Sequence, residues 1–210
     1  MNIAVIGTGN VGSVLGTRLA EQGHYVTFGT RDPGSTKIHA LLSTAGHNVR
    51  AATIKEAATA AEVIILAVPY FSAEDALKAM GPLQGKVLID TTNALKPDFS
   101  GLAVRTGESA GENIAGWAPG AKVVKAFNTV GTRVMEDPQF GKDNAIMFIA
   151  GDHAGAKAAA TELAAALGFA VIDAGPLHMS RHLESMAMLW IRLAFVQGIG
   201  TDFGMKILKR

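Results

Sequence analysis

Three glycines among the first dozen residues have the spacing that phosphate chemistry asks for. Gly7-Thr8-Gly9-Asn10-Val11-Gly12 reads G-x-G-x-x-G, between the apolar run "NIAVI" and a segment of helical spacing. In this pattern the first glycine permits a tight turn and the second lets a pyrophosphate approach the backbone. The third lets the helix pack closely on the strand. Free amides at the helix N-terminus then face the negative charge. With 24 glycines in the chain the motif alone is a weak signal. Its setting, strand before and helix after, favours dinucleotide binding over a purely structural strand–helix turn.

The choice of dinucleotide falls to the end of the second strand, about twenty residues on. An acidic residue there would accept hydrogen bonds from the adenosine ribose and repel a 2′-phosphate. "YVTFGTRDPGS" offers Gly29, Thr30 and Arg31 at that point, and Asp32 comes one position late. Thr30 can donate to a phosphate, and Arg31 can bind it with a planar fork of donors. Lys37, a turn or so later, adds a second positive charge. The bland reading, a solvated Arg31 balanced by Asp32, does not explain the missing acid. The pattern therefore predicts NADP rather than NAD.

Later strand ends supply the rest of the candidate site, because ligands of open α/β sheets sit outside the carboxyl ends of the strands. Val68 and Pro69 close "VIILAVP", and Asn93 follows "VLIDTT", so all three are placed to line a cofactor cleft. Pro69 would equally end a strand, and Asn93 would equally cap a helix or turn. In "KAFNTVG", Phe127, Asn128, Thr129 and Val130 fall where a nicotinamide ring would arrive, and the neutral Asn128 amide suits its carboxamide. Hydride transfer between two rings needs orientation and exclusion of water rather than a nucleophile. No Ser-His-Asp set or pair of carboxylates stands out in the sequence. His178 and His182 are four apart but lack a third ligand in register, which favours surface or interface histidines over a metal. Arg181 and Glu184, three apart on one helix, are expected to pair with each other. Met179, Met186, Met188 and Trp190 read as core or dimer contacts.

These residues need a scaffold, and the chain supplies one. Apolar strand-sized runs alternate with helical segments: "NIAVIG", "HYVTFG", "NVRAAT", "EVIILAVP", "KVLIDTT", "KVVKAFN", "AIMFIAG" and "FAVIDAG". Strands apolar throughout, separated by helices, predict an α/β fold with a doubly wound parallel sheet covered on both faces. The rhythm stops near residue 175. Residues 1–175 are expected to form the NADP-binding domain and residues 176–210 a helical C-terminal segment for acceptor binding and dimerisation. Ser180 to Gln197 reads as one long helix, followed by the glycine-rich "GIGTDFG". That helix is apolar on more than one face, which predicts a homodimer.

Composition narrows the classes. Of 210 residues 49% are hydrophobic and 18% charged, enough for a sizeable core. A net charge of +1 with no basic stripe argues against nucleic-acid binding. The chain has no cysteine, which excludes disulfides, thiolate metal sites and a cysteine nucleophile. No signal-peptide pattern opens the sequence and no apolar run is long enough for a bilayer, so a cytoplasmic protein without membrane partners is expected.

"MNIAVIGTGNVGSVLGTRLAEQGHYVTFGTRDP", "VVKAFNTVG" and "DAGPLHMSRHLESMAMLWIRLAF" together resemble the coenzyme F420-dependent NADP oxidoreductases over nearly the whole chain. The glycine motif is generic, whereas the late "DAGPL…SR…LES" from Asp173 to Ser185 is more specific. The cytosolic NADPH-binding domain of the STEAP metalloreductases is also similar, and "KAFN" resembles that branch. The resemblance implies a dimeric enzyme moving a hydride between NADPH and a deazaflavin ring. It implies that Thr8, Thr30 and Arg31 recognise the 2′-phosphate region. It also places the acceptor between the sixth-strand loop, including Thr129 and Val130, and the Gly198 to Gly204 segment, including Gly200. Archaeal members of the family carry His-Thr-Ile-Pro where this chain has Asn128, Thr129, Val130 and Gly131. FMN or FAD as acceptor, a ferric reductase of the STEAP type and an NADPH-binding redox sensor are the alternatives to F420.

Overall fold

The computed structural model describes residues 1–208 and 210. Strand β1 (Asn2–Ile6) leads into helix α1 (Asn10–Glu21), β2 (Tyr25–Thr30), α2 (Thr36–Thr44) and β3 (Val49–Thr53). Then come α3 (Ile54–Ala60), β4 (Val63–Leu66), α4 (Ala73–Met80), β5 (Val87–Asp90), α5 (Ala110–Trp117) and β6 (Lys122–Lys125). Helix α6 (Thr132–Glu136) and a small hairpin, β7 (Gln139–Phe140) with β8 (Asp143–Asn144), precede β9 (Ile146–Gly151). The chain closes with α7 (Ala154–Ala166), β10 (Ala170–Asp173) and α8 (Ser180–Ile191).

Among the described residues one eight-stranded sheet runs in the order β10-β9-β6-β5-β4-β1-β2-β3. Its β3-β2-β1-β4-β5-β6 portion is wholly parallel and has the order of a doubly wound dinucleotide-binding sheet. The fully parallel expectation fails at one place: β9 pairs antiparallel with β6, while β10 runs parallel to β9. Periodicity carries no sign of this, since a strand buried on both faces reads as an apolar run in either direction.

The sheet is coated by two apolar layers, one holding Leu15, Leu19 and Phe28, the other Leu66, Leu77 and Ile114. Helix α1 lies close on the sheet at Gly16, where a Cβ would stand 2.4 Å from the Phe28 ring. Helix α3 begins with a reciprocal cap in which the Glu56 amide donates to Thr53 Oγ1 and Glu56 Oε2 accepts from the Thr53 amide.

The predicted helix from Ser180 to Gln197 stops as α-helix at Ile191, and residues Arg192–Val196 form a π-helical turn. Gly198 and Gly200 follow with φ of 73° and 86°, a left-handed backbone that favours glycine. The chain then folds back. Trp190 stacks on Phe203 at 5.1 Å and donates from Nε1 to the Phe203 carbonyl at 3.1 Å, and the Ile146 amide donates to the Met205 carbonyl. Trp190 and Met188 are thus buried within the protomer, with Met179 and Met186 only partly covered.

Candidate functional site

The glycine loop has three different jobs at its three positions. Gly7 has φ +107°, and a Cβ there would lie 2.3 Å from the Ala67 carbonyl oxygen. A Cβ on Gly12 would lie 2.0 Å from the Gly7 carbonyl oxygen. Gly9 is different: nothing lies within 4 Å of its built Cβ, so its bare backbone faces open space. It is the N-cap of α1, offers no side-chain cap, and no acidic residue occupies the first turn. The first-turn amides of α1 are therefore free to receive an anion, and the helix dipole favours one.

Beside this loop is a cavity of about 340 Å³, lined by Gly7, Thr8, Gly29, Thr30, Arg31 and Val68 among others. Ile54, Pro69, Ala76 and Ala79 give it apolar walls, and Ser72 and Asp75 form a polar rim on the α4 side. The cavity thus brings the glycine loop together with the end of β2 and the end of β4. Asp32, the late acid, is used locally: its Oδ1 accepts the Gly34 amide at 3.1 Å in the turn before α2. Lys37 lies on the exposed side of α2 and outside the cavity lining. The cavity thus offers the Thr30 hydroxyl and the Arg31 guanidinium beside an apolar slot formed by Ile54, Pro69, Ala76 and Ala79. Asn10 is exposed and Val11 partly covered in the first turn of α1.

The loops after β5 and β6 interlock. Asn93 Nδ2 donates to the Asn128 carbonyl at 2.9 Å, and Asn128 Nδ2 donates to Asn93 Oδ1 at 3.0 Å. The Asn93 amide is thereby committed to Asn128, whose own Oδ1 is buried without a partner, as is Thr129 Oγ1. Phe127 departs from expectation. Its φ of 60° turns the side chain into the core, where it meets the Phe169 ring edge-on at 6.3 Å. Phe127 is 1% exposed and does not line a cleft. Thr129 and Val130 are buried as well, and Gly131 lies under the Trp190 ring, 2.6 Å from where its Cβ would stand. Gly198 and Gly200 are exposed.

Arg181 and Glu184 do not pair with each other. Arg181 forms a fork on Glu112 at 2.8 and 2.6 Å, bridging α8 to α5. Glu184 is turned inward, 2.9 Å from Lys125 Nζ. Lys125 in turn meets Asp90 at 2.6 Å, and all three side chains are fully buried. Sequence spacing puts Arg181 and Glu184 on one helix face, but each finds its partner on another element. The sequence signal for this network is a lysine and an aspartate closing β6 (KVVK) and β5 (VLID) after apolar residues. His178 and His182 are exposed.

A second cavity, about 300 Å³, lies among Asn2, Tyr25, His47 and Arg50 at the opposite ends of β1 to β3. It is remote from the glycine loop and holds none of the residues singled out above.

With this geometry in hand, comparison with known proteins is informative. Residues 2–94 match the family model described as NADP oxidoreductase, coenzyme F420-dependent. The chain is 35% identical over 207 residues to an F420-dependent NADP reductase of Methanothermobacter marburgensis, covering 92% of each chain. It superposes on the crystal structure of a candidate F420-dependent NADP reductase from Arthrobacter sp. FB24 with a TM-score of 0.90, at 36% identity and full coverage of both chains. It is also 30% identical over 190 residues to the rat metalloreductase STEAP3, of which it spans 36%.

Proposed function

The chain belongs to the coenzyme F420-dependent NADP oxidoreductase family, and on that premise we propose that its cleft carries hydride transfer between NADP(H) and coenzyme F420 or a related flavin-like acceptor. It is an NADP-dependent oxidoreductase with a Rossmann sheet. The observation that carries the cofactor assignment is the cavity in which Thr30 and Arg31 stand beside the uncapped N-terminus of α1, with the late acid of β2, Asp32, held in the turn before α2.

In this reading Gly7, Thr8, Gly9, Asn10, Val11 and Gly12 line the pyrophosphate, with the first-turn amides of α1 as donors and the Gly7 amide spent on the Gly29 carbonyl. Thr30 and Arg31 hold the 2′-phosphate, and Lys37 adds positive potential from α2. Val68 and Pro69 flank the dinucleotide at the end of β4. Asn128, fixed by Asn93, addresses the carboxamide. When bound, NADP(H) would give or take the hydride; the protein orients two rings and keeps water from them. The acceptor lies between the Thr129–Val130 loop and the Gly198–Gly200 turn. Residues 1–175 make the NADP-binding unit, and residues 176–210 serve the acceptor and dimerisation.

The exposed Leu189, Phe195, Val196 and Ile199 cluster at the end of α8 and the turn after it. Apolar side chains so close in sequence and so open to water favour burial in a homodimer. Among the described residues no helix is long and apolar enough to cross a membrane.

The test is an absorbance assay of NADPH oxidation with F420, FMN, FAD and ferric chelates offered separately. Turnover with F420 is expected. Turnover confined to FMN, FAD or ferric chelates would move the acceptor to the flavin or STEAP-type reading. NADPH binding with no turnover on any acceptor would favour a redox sensor.

A further inference from the structure

Lys125 has a fully buried side chain at the end of β6. Its Nζ lies 2.6 Å from Asp90 Oδ2, 2.9 Å from Glu184 Oε1, and donates to the Thr92 carbonyl at 2.7 Å. The Thr92 contact has hydrogen-bond geometry, whereas the two carboxylates meet the ammonium as ion pairs, with Asp90 Oδ2 making no hydrogen bond among the described residues. Both carboxylates are anchored in turn. Asp90 Oδ1 accepts the Thr92 amide at 2.8 Å. Glu184 Oε2 and Oε1 accept the amides of Ala110 and Gly111, which open α5, at 2.9 and 3.0 Å. Burial pulls the Lys125 amine down, but the Asp90 and Glu184 carboxylates together hold it above the ordinary lysine range. Even Gly111 belongs to the arrangement: a Cβ there would stand 2.6 Å from Ser180 Oγ and 3.2 Å from Lys125 Cε.

Stability is a weak reason for such a network, since well-packed apolar side chains often do as well. Its connections suggest another. Asp90 stands three residues before Asn93, and Lys125 stands three residues before Asn128, the interlocked pair at the ring end. Glu184 belongs to the helix that delivers the Gly198–Gly200 turn. We propose that Lys125 is a positioning residue: one buried ammonium sets the register between the two nicotinamide loops and the C-terminal acceptor segment. Lys125 touches neither ring and acts through Asn93, Asn128 and α8. The inference rests on the NADP reading above.

The experiment uses the full-length chain and two ligands, NADPH and 2′,5′-ADP, which retains only the adenosine half. Three variants are compared. Glu184→Gln keeps the shape but removes a charge, Lys125→Met removes the ammonium, and Glu112→Gln breaks the other bridge between α5 and α8. The expected result is an NADPH Kd raised about tenfold in Glu184→Gln and Lys125→Met, with 2′,5′-ADP affinity unchanged and Glu112→Gln like wild type for both ligands. Equal weakening of both ligands, or no change in either, would overturn the proposal. So would the same effect from Glu112→Gln, or loss of folding in both network variants, since either assigns the network to structure alone. Wild-type protein that fails to bind 2′,5′-ADP would instead overturn the NADP reading itself.

Discussion

Gly9 and Gly12 are three residues apart in one motif, yet alanine should act on them in opposite ways. At Gly12 the added methyl would stand 2.0 Å from the Gly7 carbonyl oxygen and 3.0 Å from its carbon. Both are backbone atoms that cannot rotate aside, so α1 must move away from β1. Alanine gains about 1 kcal/mol of helix propensity over glycine, but overpacking costs about 1–3 kcal/mol. With backbone as the obstacle the cost lies at the upper end, and a net loss of about 2 kcal/mol is expected. For a domain of this size that lowers Tm by roughly 4–8 °C. At Gly9 there is nothing within 4 Å, and its φ of −79° and ψ of −171° are open to alanine. Alanine is a poorer N-cap than glycine, so stability should fall by no more than about 1 kcal/mol. The methyl would instead occupy the approach of the pyrophosphate. Losing one charge-assisted hydrogen bond of about 1.5–3 kcal/mol raises the NADPH Kd about 10- to 100-fold. Thermal melting without ligand and an NADPH fluorescence titration measure the two effects separately. Wild-type NADPH affinity in Gly9→Ala would refute the placement of the pyrophosphate. A wild-type Tm in Gly12→Ala would refute the packing argument.

Arg31→Ala should raise the Kd for NADPH about 10- to 100-fold and leave NADH unchanged; equal losses for both would remove the 2′-phosphate assignment. Phe195→Asp puts a charge into the exposed apolar cluster; sedimentation should show a dimer for the wild type and a monomer for the variant, and a monomeric wild type would remove the dimer reading. Trp190→Ala removes the ring that stacks on Phe203 and covers Gly131, at a cost of about 3–5 kcal/mol read by denaturant melting. A loss below about 1 kcal/mol would mean that the tail is held by something else. Hydrogen bonds from Arg181 hold the Glu112 carboxyl below its ordinary range. A depressed carboxylate gives stability that is complete above the unfolded pKa and lost as pH falls through the folded one. Glu112→Gln should therefore lower Tm at neutral pH, with the gap to wild type closing as the pH drops below about 4. A gap that widens in acid would contradict the bridge.

What the sequence reveals follows how local the physics is. Gly7, Gly9 and Gly12 are legible because a turn between one strand and the next helix is set by neighbours. Thr30 and Arg31 are legible because the end of β2 must adjoin that turn in any parallel sheet of this kind. The strands themselves are legible as apolar runs. The direction of β9 is not, since burial on both faces erases any directional pattern. Hairpin β7–β8 has two residues per strand, too few for a period to show. Phe127 stands beside Asn128 in sequence, and only its left-handed backbone sends it into the core. The Lys125 network joins residues from β5, β6 and α8, so no window along the chain contains it. Arg181 and Glu184 illustrate the same limit: helical spacing identified two neighbours, but longer-range partners took both.

The reversal at β9 also governs where the chain can end. The pairings Val124–Gly151 and Lys125–Ala150 carry the first residues of β9 past the end of β6, alongside the loop that holds Asn128. The Phe127 amide accordingly meets Met147 Sδ at 3.0 Å, and the returning tail docks on Ile146. The last two strands therefore stand as a parapet above the edge of the sheet beside the Asn128 loop. The chain leaves β10 at the level of Lys125 and must ascend along α8, about 18 Å over twelve residues. Had β9 run the other way, the final helix would have started at the cleft and descended from it. Its glycines would then have finished at the far end of the molecule, away from the loop that holds Asn128.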